Sequence, residues 1–154
     1  MNVFIDTSAL FAVLDADEQD HELARQTWIE LIAQDVRLIC TNYVLLETFA
    51  LVQRRLGISA VRALQEDVVP ILHIEWISIE QHAEGVNALL IAANRALSLV
   101  DCTSFAAMRR LGIQTAFAFD RHFQEQGFVC MPMSKFVMRR LTHDDYKGSS
   151  RQNL

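Results

Sequence analysis

The first eight residues constrain the fold more than any other stretch, because a short β-favouring apolar run ends abruptly at an acid. Residues 3–5 (Val-Phe-Ile) form this run, and Asp6 follows it. A continuous apolar run suits a strand that is buried on both faces of a parallel sheet. Thr7 and Ser8 can cap a following helix, which places Asp6 at a strand-to-helix corner. Such sheets bind ligands at the carboxyl ends of their strands, so Asp6 is a candidate site residue as well as a candidate helix cap.

Similar apolar runs recur along the chain, and patterns typical of helices separate them. Further strands are predicted at residues 36–40, 71–74, 113–119 and 128–131, and helices at residues 7–14, 21–32, 42–55, 60–69, 79–95, 105–110 and 133–141. This alternation favours an α/β fold, a three-layer α/β/α sandwich with a mostly parallel central sheet. We expect one domain over residues 1–132, followed by a C-terminal helix and a flexible polar tail over residues 133–154.

Three further acids are placed so that they can meet Asp6. Glu47 lies on the inward, apolar stripe of its predicted helix, where an unpaired carboxylate is costly. Asp101 lies at a helix N-terminus, and Asp120 ends its strand just as Asp6 ends the first one. Because the carboxyl ends of parallel strands share one edge of a sheet, we expect the four acids to converge there.

Four carboxylates in a partly apolar setting repel one another and hold protons unless a cation is present. Their convergence therefore makes physical sense as a metal site. Ligands that are all oxygen favour Mg²⁺ or Mn²⁺ over zinc. Ions bound by acids at the end of an α/β sheet typically orient a phosphodiester and lower the pKa of the water that attacks it in line.

The composition limits the classes of partner. Hydrophobic residues make up 51% of the 154 residues and the mean hydropathy is +0.15, which indicates apolar surface that is buried against another protein. We expect self-association through the helices near residues 43–56 and 79–95, the second of which shows an apolar face of Ala83, Val86, Leu90 and Ala93. The net charge of −5 argues against a protein that coats nucleic acids.

The sequence predicts a soluble cytoplasmic protein. No apolar run reaches the length needed to span a bilayer, and no basic region precedes the short apolar stretch at the N-terminus. Cys40, Cys102 and Cys130 are odd in number and widely spaced, which supports neither a disulfide framework nor a structural zinc site.

Four segments carry a resemblance to a known family: IDTS at 5–8, NYVLLET at 42–48, LSLVDCTSF at 97–105 and FDRHF at 119–123. Their order and spacing resemble the PIN-domain nucleases, most closely the VapC-type toxins of bacterial toxin–antitoxin pairs. The likeness runs from residue 1 to about residue 132. It implies a PIN fold, Mg²⁺-dependent (or Mn²⁺-dependent) cleavage of RNA, a homodimer, and a small antitoxin whose tail occupies the acidic pocket.

Position by position, the resemblance assigns catalysis and metal binding to Asp6, Glu47, Asp101 and Asp120. It implies roles beside the metal or against the substrate for Thr7, Ser8, Asn42, Ser104, Arg121 and His122. Arg95, Arg109 and Arg110 are further candidates for contacts with RNA phosphates. The residues after Pro132 lie outside the resemblance, and the net acidity gives no obvious RNA-binding face.

Three alternatives remain open at this point. The chain could be a PIN-domain nuclease of RNA processing that has no antitoxin. It could be a PIN-like module that binds RNA or a protein partner without turnover, although such a module would be expected to lack one of the acids. A phosphohydrolase with Asp6 as covalent nucleophile is less favoured, because the Asp-x-Asp arrangement of such enzymes is broken by Ser8.

Overall fold

A five-stranded sheet forms the centre of the computed structural model, which describes residues 1–132. The strands are β1 (Asn2–Ile5), β2 (Arg37–Thr41), β3 (Leu72–Glu75), β4 (Thr115–Phe117) and β5 (Val129–Met131). They lie in the order β3-β2-β1-β4-β5, and every neighbouring pair is parallel. The predicted parallel sheet is thus confirmed, and the strand that leads to Asp6 is its middle strand.

Helices flank the sheet, which confirms the predicted three-layer α/β/α fold. They are α1 (Thr7–Leu14), α2 (His21–Ala33), α3 (Asn42–Leu56), α4 (Ile58–Ala63), α5 (Ile79–Ala92), α6 (Leu99–Leu111) and α7 (His122–Glu125). A turn of π-helix (Leu64–Val68) and a 3₁₀ turn (Val69–Ile71) lead from α4 into β3. Helix α1 packs on α2 and α3, α5 packs on α6, and α3 also contacts α6.

The core is centred on β1, whose residues 3–5 are fully buried. Phe4 pairs with Ile39 of β2 on one side and with Ala116 of β4 on the other. Beside this sheet the ring of Phe123 packs edge-on against Phe105, with 5.0 Å between ring centroids. Tight packing on both faces fixes the carboxyl ends of β1 and β4. Asp6 directly follows β1, and Asp120 lies three residues after the end of β4.

Several predicted boundaries are wrong. The helix predicted over residues 60–69 is α-helical only to Ala63, and the strand predicted over residues 113–119 is limited to Thr115–Phe117. Helix α6 begins at Leu99 instead of residue 105, because Ser98 and Asp101 form a capping box that starts the helix six residues earlier. Helix α5 ends at Ala92 instead of residue 95, and Ala93 adopts a left-handed conformation with φ 46°.

The apolar face predicted on α5 does not pack within the described domain. Ala83, Leu90 and Ala93 are exposed and Val86 is half-buried, whereas the buried residue of this helix is Gly85. A Cβ atom added at Gly85 would lie 2.6 Å from Thr103 Cγ2 of α6. The absence of a side chain therefore lets α5 approach α6 closely, and the seam between the two helices follows the glycine instead of the larger apolar residues.

Among the described residues, no helix is both long enough and apolar enough to cross a membrane. The helix predicted at 133–141 and the polar tail to residue 154 lie outside the described residues, so that part of the domain division stays a prediction.

Candidate functional site

Asp6 is held at the start of α1, where it is the N-cap of the helix. Its Oδ2 accepts hydrogen bonds from the backbone N–H of Ser8 at 3.0 Å and from the Ser8 hydroxyl at 2.6 Å. The prediction that Thr7 or Ser8 caps this helix is therefore wrong, because Asp6 itself has the extended backbone of the capping position. Asp6 is only 6% exposed. Among the described residues its hydrogen bonds go to Oδ2 alone, which leaves Oδ1 open to another ligand.

Asp101 lies in the first turn of α6, where the capping box fixes its carboxylate. Its Oδ2 accepts from the backbone N–H of Ser98 at 2.7 Å and from the Ser98 hydroxyl at 2.9 Å. The positive end of the helix dipole also favours a negative charge at this position. The side chain is half-buried, so one oxygen is anchored while the group keeps contact with the space outside the helix.

Asp120 follows β4 and is oriented by His122. Its Oδ1 accepts the backbone N–H of His122 at 2.9 Å. The Nδ1 atom of the His122 ring also lies 2.9 Å from this oxygen, but it is not aligned for a hydrogen bond. His122 is buried, so its ring restricts where the Asp120 carboxylate can point.

Glu47 lies on α3 and is exposed, which corrects the prediction that it lies on the buried stripe of that helix. The buried residues of α3 are Val44, Thr48 and Val52. Glu47 is at the edge of this stripe, where its carboxylate is partly shielded from water although the residue as a whole is exposed. This shielding is the largest cause of a raised pKa; Thr7 lowers the pKa, and Asp101 and Asp120 raise it.

The structure brings the four acids to one edge of the sheet, and we refer to Asp6, Glu47, Asp101 and Asp120 as the acidic cluster. Burial raises the pKa of Asp6 to about 6; the hydrogen bonds from Ser8 oppose this, and the charges of Asp101 and Glu47 add to it. One ligand atom from each of Asp101, Asp120 and His122 can be chosen so that all lie within 4.8 Å of one another. The acids therefore repel one another, and a cation would relieve this repulsion.

Of the remaining predicted site residues, Thr7 and Ser104 are buried and lie close in sequence to members of the acidic cluster, whereas Asn42 and Arg121 have partners elsewhere. Thr7 is buried beside the cluster and its hydroxyl donates to Val44 O at 3.3 Å. Ser104 is fully buried one turn after Asp101. Asn42 is engaged elsewhere, since its Oδ1 accepts from the backbone N–H of Ile77 at 2.8 Å. Arg121 is exposed and pairs with Glu125 at 3.4 Å.

Two of the arginines proposed for RNA phosphates have partners within the domain. Arg109 donates to Gln126 and lies over the ring of Phe128. Arg110 forms an ion pair with Glu75 at 3.0 Å. Arg95 is exposed. These contacts give Arg109 and Arg110 structural roles and leave Arg95 and Arg121 as the more accessible members of the group.

The structure adds one residue that sequence reasoning missed. A depression of about 340 Å³ is lined by Glu47, Ala50, Leu51 and Arg54. Arg54 lies seven residues after Glu47 on α3, so the two side chains are on the same side of the helix. The i, i+7 spacing of an acid and a base could have indicated this cationic neighbour of the cluster.

The donors present fit a hard divalent ion. All four members of the acidic cluster offer carboxylate oxygens, the ligands that Mg²⁺ and Mn²⁺ prefer. The nearby thiols do not compete: burial raises the pKa of Cys130 to about 11, with smaller contributions from Asp6 and Asp120, so this thiol stays protonated at neutral pH. His122 adds a ring nitrogen that can be chosen within 4.8 Å of ligand oxygens of Asp101 and Asp120. Within the described part of the chain, the buried Ser104 hydroxyl and His122 Nδ1 have no hydrogen-bond partner.

Comparison with known proteins identifies the family. The model of the PIN domain matches residues 3–129 of the sequence. This chain belongs to the PIN-domain family. The chain is also 34% identical over 128 residues to the 23S rRNA-specific endonuclease VapC20 of Mycobacterium tuberculosis, and this match covers 82% of the chain and 95% of VapC20. The predicted resemblance to VapC-type nucleases is therefore confirmed, and the chain is a nuclease of this type.

Solved structures agree with this assignment. The crystal structure of M. tuberculosis VapC20, described as a toxin that cleaves the sarcin–ricin loop, matches the PIN domain with a TM-score of 0.74 at 34% identity and covers 82% of this chain and 96% of VapC20. VapBC2 from Rickettsia felis, bound to a promoter DNA fragment, matches with a TM-score of 0.61 at 12% identity, covering 84% of this chain and 97% of the matched chain. FitAcB from Neisseria gonorrhoeae matches with a TM-score of 0.60 at 16% identity, covering 84% of this chain and 96% of the matched chain. The last two support the fold alone.

Proposed function

We propose that this VapC-type PIN domain is a Mg²⁺- or Mn²⁺-dependent endoribonuclease that hydrolyses phosphodiester bonds of RNA. The observation that carries the proposal is the convergence of the acids: Asp101, Asp120 and His122 offer ligand atoms within 4.8 Å of one another. Burial raises the pKa of Asp6, and the nearby charges of Asp101 and Glu47 raise it further. Groups that disfavour each other's charge in this way are matched to a bound cation.

Asp6, Asp101 and Asp120 would hold the ion, with Glu47 completing the set of carboxylates. When bound, the ion would lower the pKa of a water molecule and orient the scissile phosphate for in-line attack by it. One or two ions are compatible with four carboxylates.

The protein's own contribution is to hold the carboxylates in place. Ser8 fixes one oxygen of Asp6, Ser98 fixes one oxygen of Asp101, and His122 fixes Asp120 through its backbone N–H. Residues that orient metal ligands in this way commonly change metal affinity or activity by about 10–100-fold when they are replaced. Arg54, beside Glu47, is placed to contact an RNA phosphate and offset the local negative charge.

RNA as the substrate class is supported by VapC20, whose name records activity on 23S rRNA. We infer that ribosomal RNA is the first substrate to test. The description of VapC20 as a toxin also supports a role as the toxin of a type II pair, with a small antitoxin as partner. A PIN nuclease of RNA processing without an antitoxin is the second candidate, because the acidic cluster serves both functions equally.

We further propose a cytoplasmic homodimer. Its interface would be the apolar surface of α3 and α5, where Leu46 is 70% exposed, Ile79 85% and Leu90 71%. The three cysteines are free and buried, as in proteins of a reducing compartment.

The catalytic proposal is tested with purified protein and an end-labelled ribosomal RNA stem-loop, with Mg²⁺ or Mn²⁺ and with EDTA. We expect discrete cleavage that requires the metal and falls at least about 100-fold in Asp101→Asn. Asp67→Asn, at an exposed acid far along the chain from the cluster, is the matched control and is expected to retain full activity. Cleavage that resists EDTA, or that persists in Asp101→Asn, would overturn the proposal, and RNA binding without any cleavage would make the domain a non-catalytic module.

The toxin proposal is tested in cells. We expect induced expression to arrest bacterial growth, and co-expression of a small protein encoded immediately upstream to relieve the arrest. Growth arrest by wild type but not by Asp101→Asn would tie the effect to the acidic cluster. If the purified enzyme cleaves RNA while no neighbouring gene relieves its toxicity, the RNA-processing role is favoured.

A further inference from the structure

An apolar groove runs along the β5 edge of the sheet, apart from the acidic cluster. It has a volume of about 440 Å³. Helix α2 forms one wall and strands β4 and β5 form the floor. The lining includes Leu23, Glu30, Val129, Met131 and Pro132. None of the groove residues belongs to the acidic cluster, and we call this feature the β5 groove.

In the part of the chain that the structure describes, the β5 groove is an uncovered part of a sheet face that is otherwise buried. Side chains alternate between the two faces of a strand, so Val129 and Met131 point to one face and Cys130 to the other. Cys130 is 7% exposed, whereas Val129 is 55% exposed and Leu23, on the facing helix, is 41% exposed. Within residues 1–132, helix α2 therefore covers this face only up to β4, and no described helix lies over the outer side chains of the edge strand β5.

The chain itself leads into the β5 groove. Pro132 is the last described residue and lines the groove, and residues 133–154 follow it. The next nine residues, MSKFVMRRL, place Met133, Val137 and Leu141 four residues apart, which is the spacing of one helix face. A nine-residue helix is about 13 Å long and β5 is about 10 Å long, so such a helix could turn back along β5 and cover it.

The charge of the groove wall and the end of the family match both favour the segment after Pro132 as the occupant of the β5 groove. The groove wall carries the carboxylate of Glu30, and the segment carries three bases, Lys135, Arg139 and Arg140. The match to the PIN domain ends at residue 129. The segment after Pro132 therefore lies outside the family match and begins beside the β5 groove. Its apolar residues and bases are complementary to the apolar floor and the acidic wall of the groove.

We propose that residues 133–141 form an amphipathic helix that packs into the β5 groove of the same chain, with Val137 and Leu141 against Leu23 and Val129. The segment is then part of the folded nuclease, and its docking shields the apolar face of β5. This inference does not depend on the proposed catalytic function.

Hydrogen exchange of the full-length protein, read by mass spectrometry, tests the proposal. We expect amides of residues 135–141 to exchange at least about tenfold more slowly in wild type than in Val137→Asp, which places a charge against the groove. Asn153→Asp, outside the proposed helix, is the matched tail control and should leave the protection unchanged. The reciprocal variant Leu23→Asp changes the groove wall on α2 without altering the sheet, and we expect it to remove the same protection. Ile91→Asp, at an 84% exposed position of α5, is its control.

Each contrary result has a defined meaning. Fast exchange of residues 135–141 in wild type would overturn the proposal and leave the groove to a separate protein. Protection that survives Leu23→Asp would show that the segment packs elsewhere, which also overturns it. Protection that grows with protein concentration would place the segment in the groove of a second copy, against the same-chain arrangement.

Discussion

The Ser8 hydroxyl donates a 2.6 Å hydrogen bond to Asp6 Oδ2 and at the same time accepts the backbone N–H of Phe119 at 3.0 Å. Asp6 and Phe119 follow neighbouring parallel strands, β1 and β4, so this one side chain joins the two strand ends that carry acids. The bond to Asp6 also lowers the pKa of its carboxyl group against the effect of burial. Ser8 therefore has two effects on the acidic cluster: it holds the ends of β1 and β4 together, and it lowers the pKa of Asp6.

Replacing Ser8 by alanine should weaken both functions of the hydroxyl. We expect Ser8→Ala to lower the free energy of unfolding by about 1–3 kcal/mol, because the partly buried Phe119 N–H loses its acceptor. The pKa of Asp6 should rise further, so cleavage activity should fall more at pH 6 than at pH 8. Urea unfolding and a pH–rate profile measure the two effects. Ser59→Ala, at an exposed serine of α4, is the control; equal loss of activity at both pH values would contradict the role assigned to Ser8.

The raised pKa of Asp6 predicts how stability depends on pH without metal. Between its ordinary value of 3.8 and about 6, the folded protein keeps a proton that the unfolded chain releases, so the free energy of unfolding falls as pH rises through this interval. The loss from this one group amounts to about 3 kcal/mol by pH 7. Glu47, whose pKa is also raised, adds a smaller loss in the same direction.

We expect Asp6→Asn to remove most of this pH dependence in EDTA, and Mg²⁺ or Mn²⁺ to stabilise wild type more at pH 7.5 than at pH 5. Asp17→Asn, at an exposed acid of the α1–α2 loop, should behave like wild type. Chemical denaturation at a series of pH values provides the comparison. An Asp6→Asn variant that keeps the wild-type slope would show that Asp6 is not the group responsible.

The positions of Asp6 and Asp120 could be predicted from sequence because their signal is local. Each follows a run of apolar residues that is long enough for one buried strand. Because the carboxyl ends of parallel strands share one edge of a sheet, the two acids are predicted to lie at the same edge. The end of α3 is also a local feature: Gly57 has φ 85°, a conformation that favours glycine, and it caps the helix after Leu56. Where a feature depends on a few consecutive residues, the sequence contains the information.

Glu47 and α5 show what the sequence could not provide. Helical periodicity places Glu47 near the apolar stripe of α3, but whether that edge is buried depends on how α3 packs against its neighbours. On α5 the periodicity of large apolar residues indicated a face that proves to be exposed, because the contact with α6 is made through Gly85. Glycine has no apolar side chain, so hydrophobic periodicity cannot predict a helix–helix contact that depends on its small size.

The close approach at Gly85 is a testable weakness of the fold. We expect Gly85→Ala to destabilise the protein by about 1–3 kcal/mol, because the new methyl group would lie 2.6 Å from Thr103 Cγ2 and would push α5 away from α6. This outweighs the gain of about 1 kcal/mol that alanine has over glycine inside a helix. Ala88→Val, on an exposed side of the same helix, controls for surface changes in α5. Thermal unfolding decides the sign, and a stabilised Gly85→Ala variant would mean that the helices can separate at no cost.

The apolar surface of α5 allows the proposed homodimer to be tested. Ile79 and Leu90 are eleven residues apart, three turns of helix, so they lie on one side of α5, and both are largely exposed. We expect wild type to be a dimer at micromolar concentration and Leu90→Glu to weaken the dimer at least about 100-fold, because a carboxylate would be buried without a partner in place of an apolar contact. Ile29→Glu, at a half-exposed position of α2, supplies the matched control. Light scattering gives the masses. A monomeric wild type, or a Leu90→Glu variant that remains dimeric, would show that this face does not join two copies, and the exposed residues of α5 would then be assigned to a different protein partner.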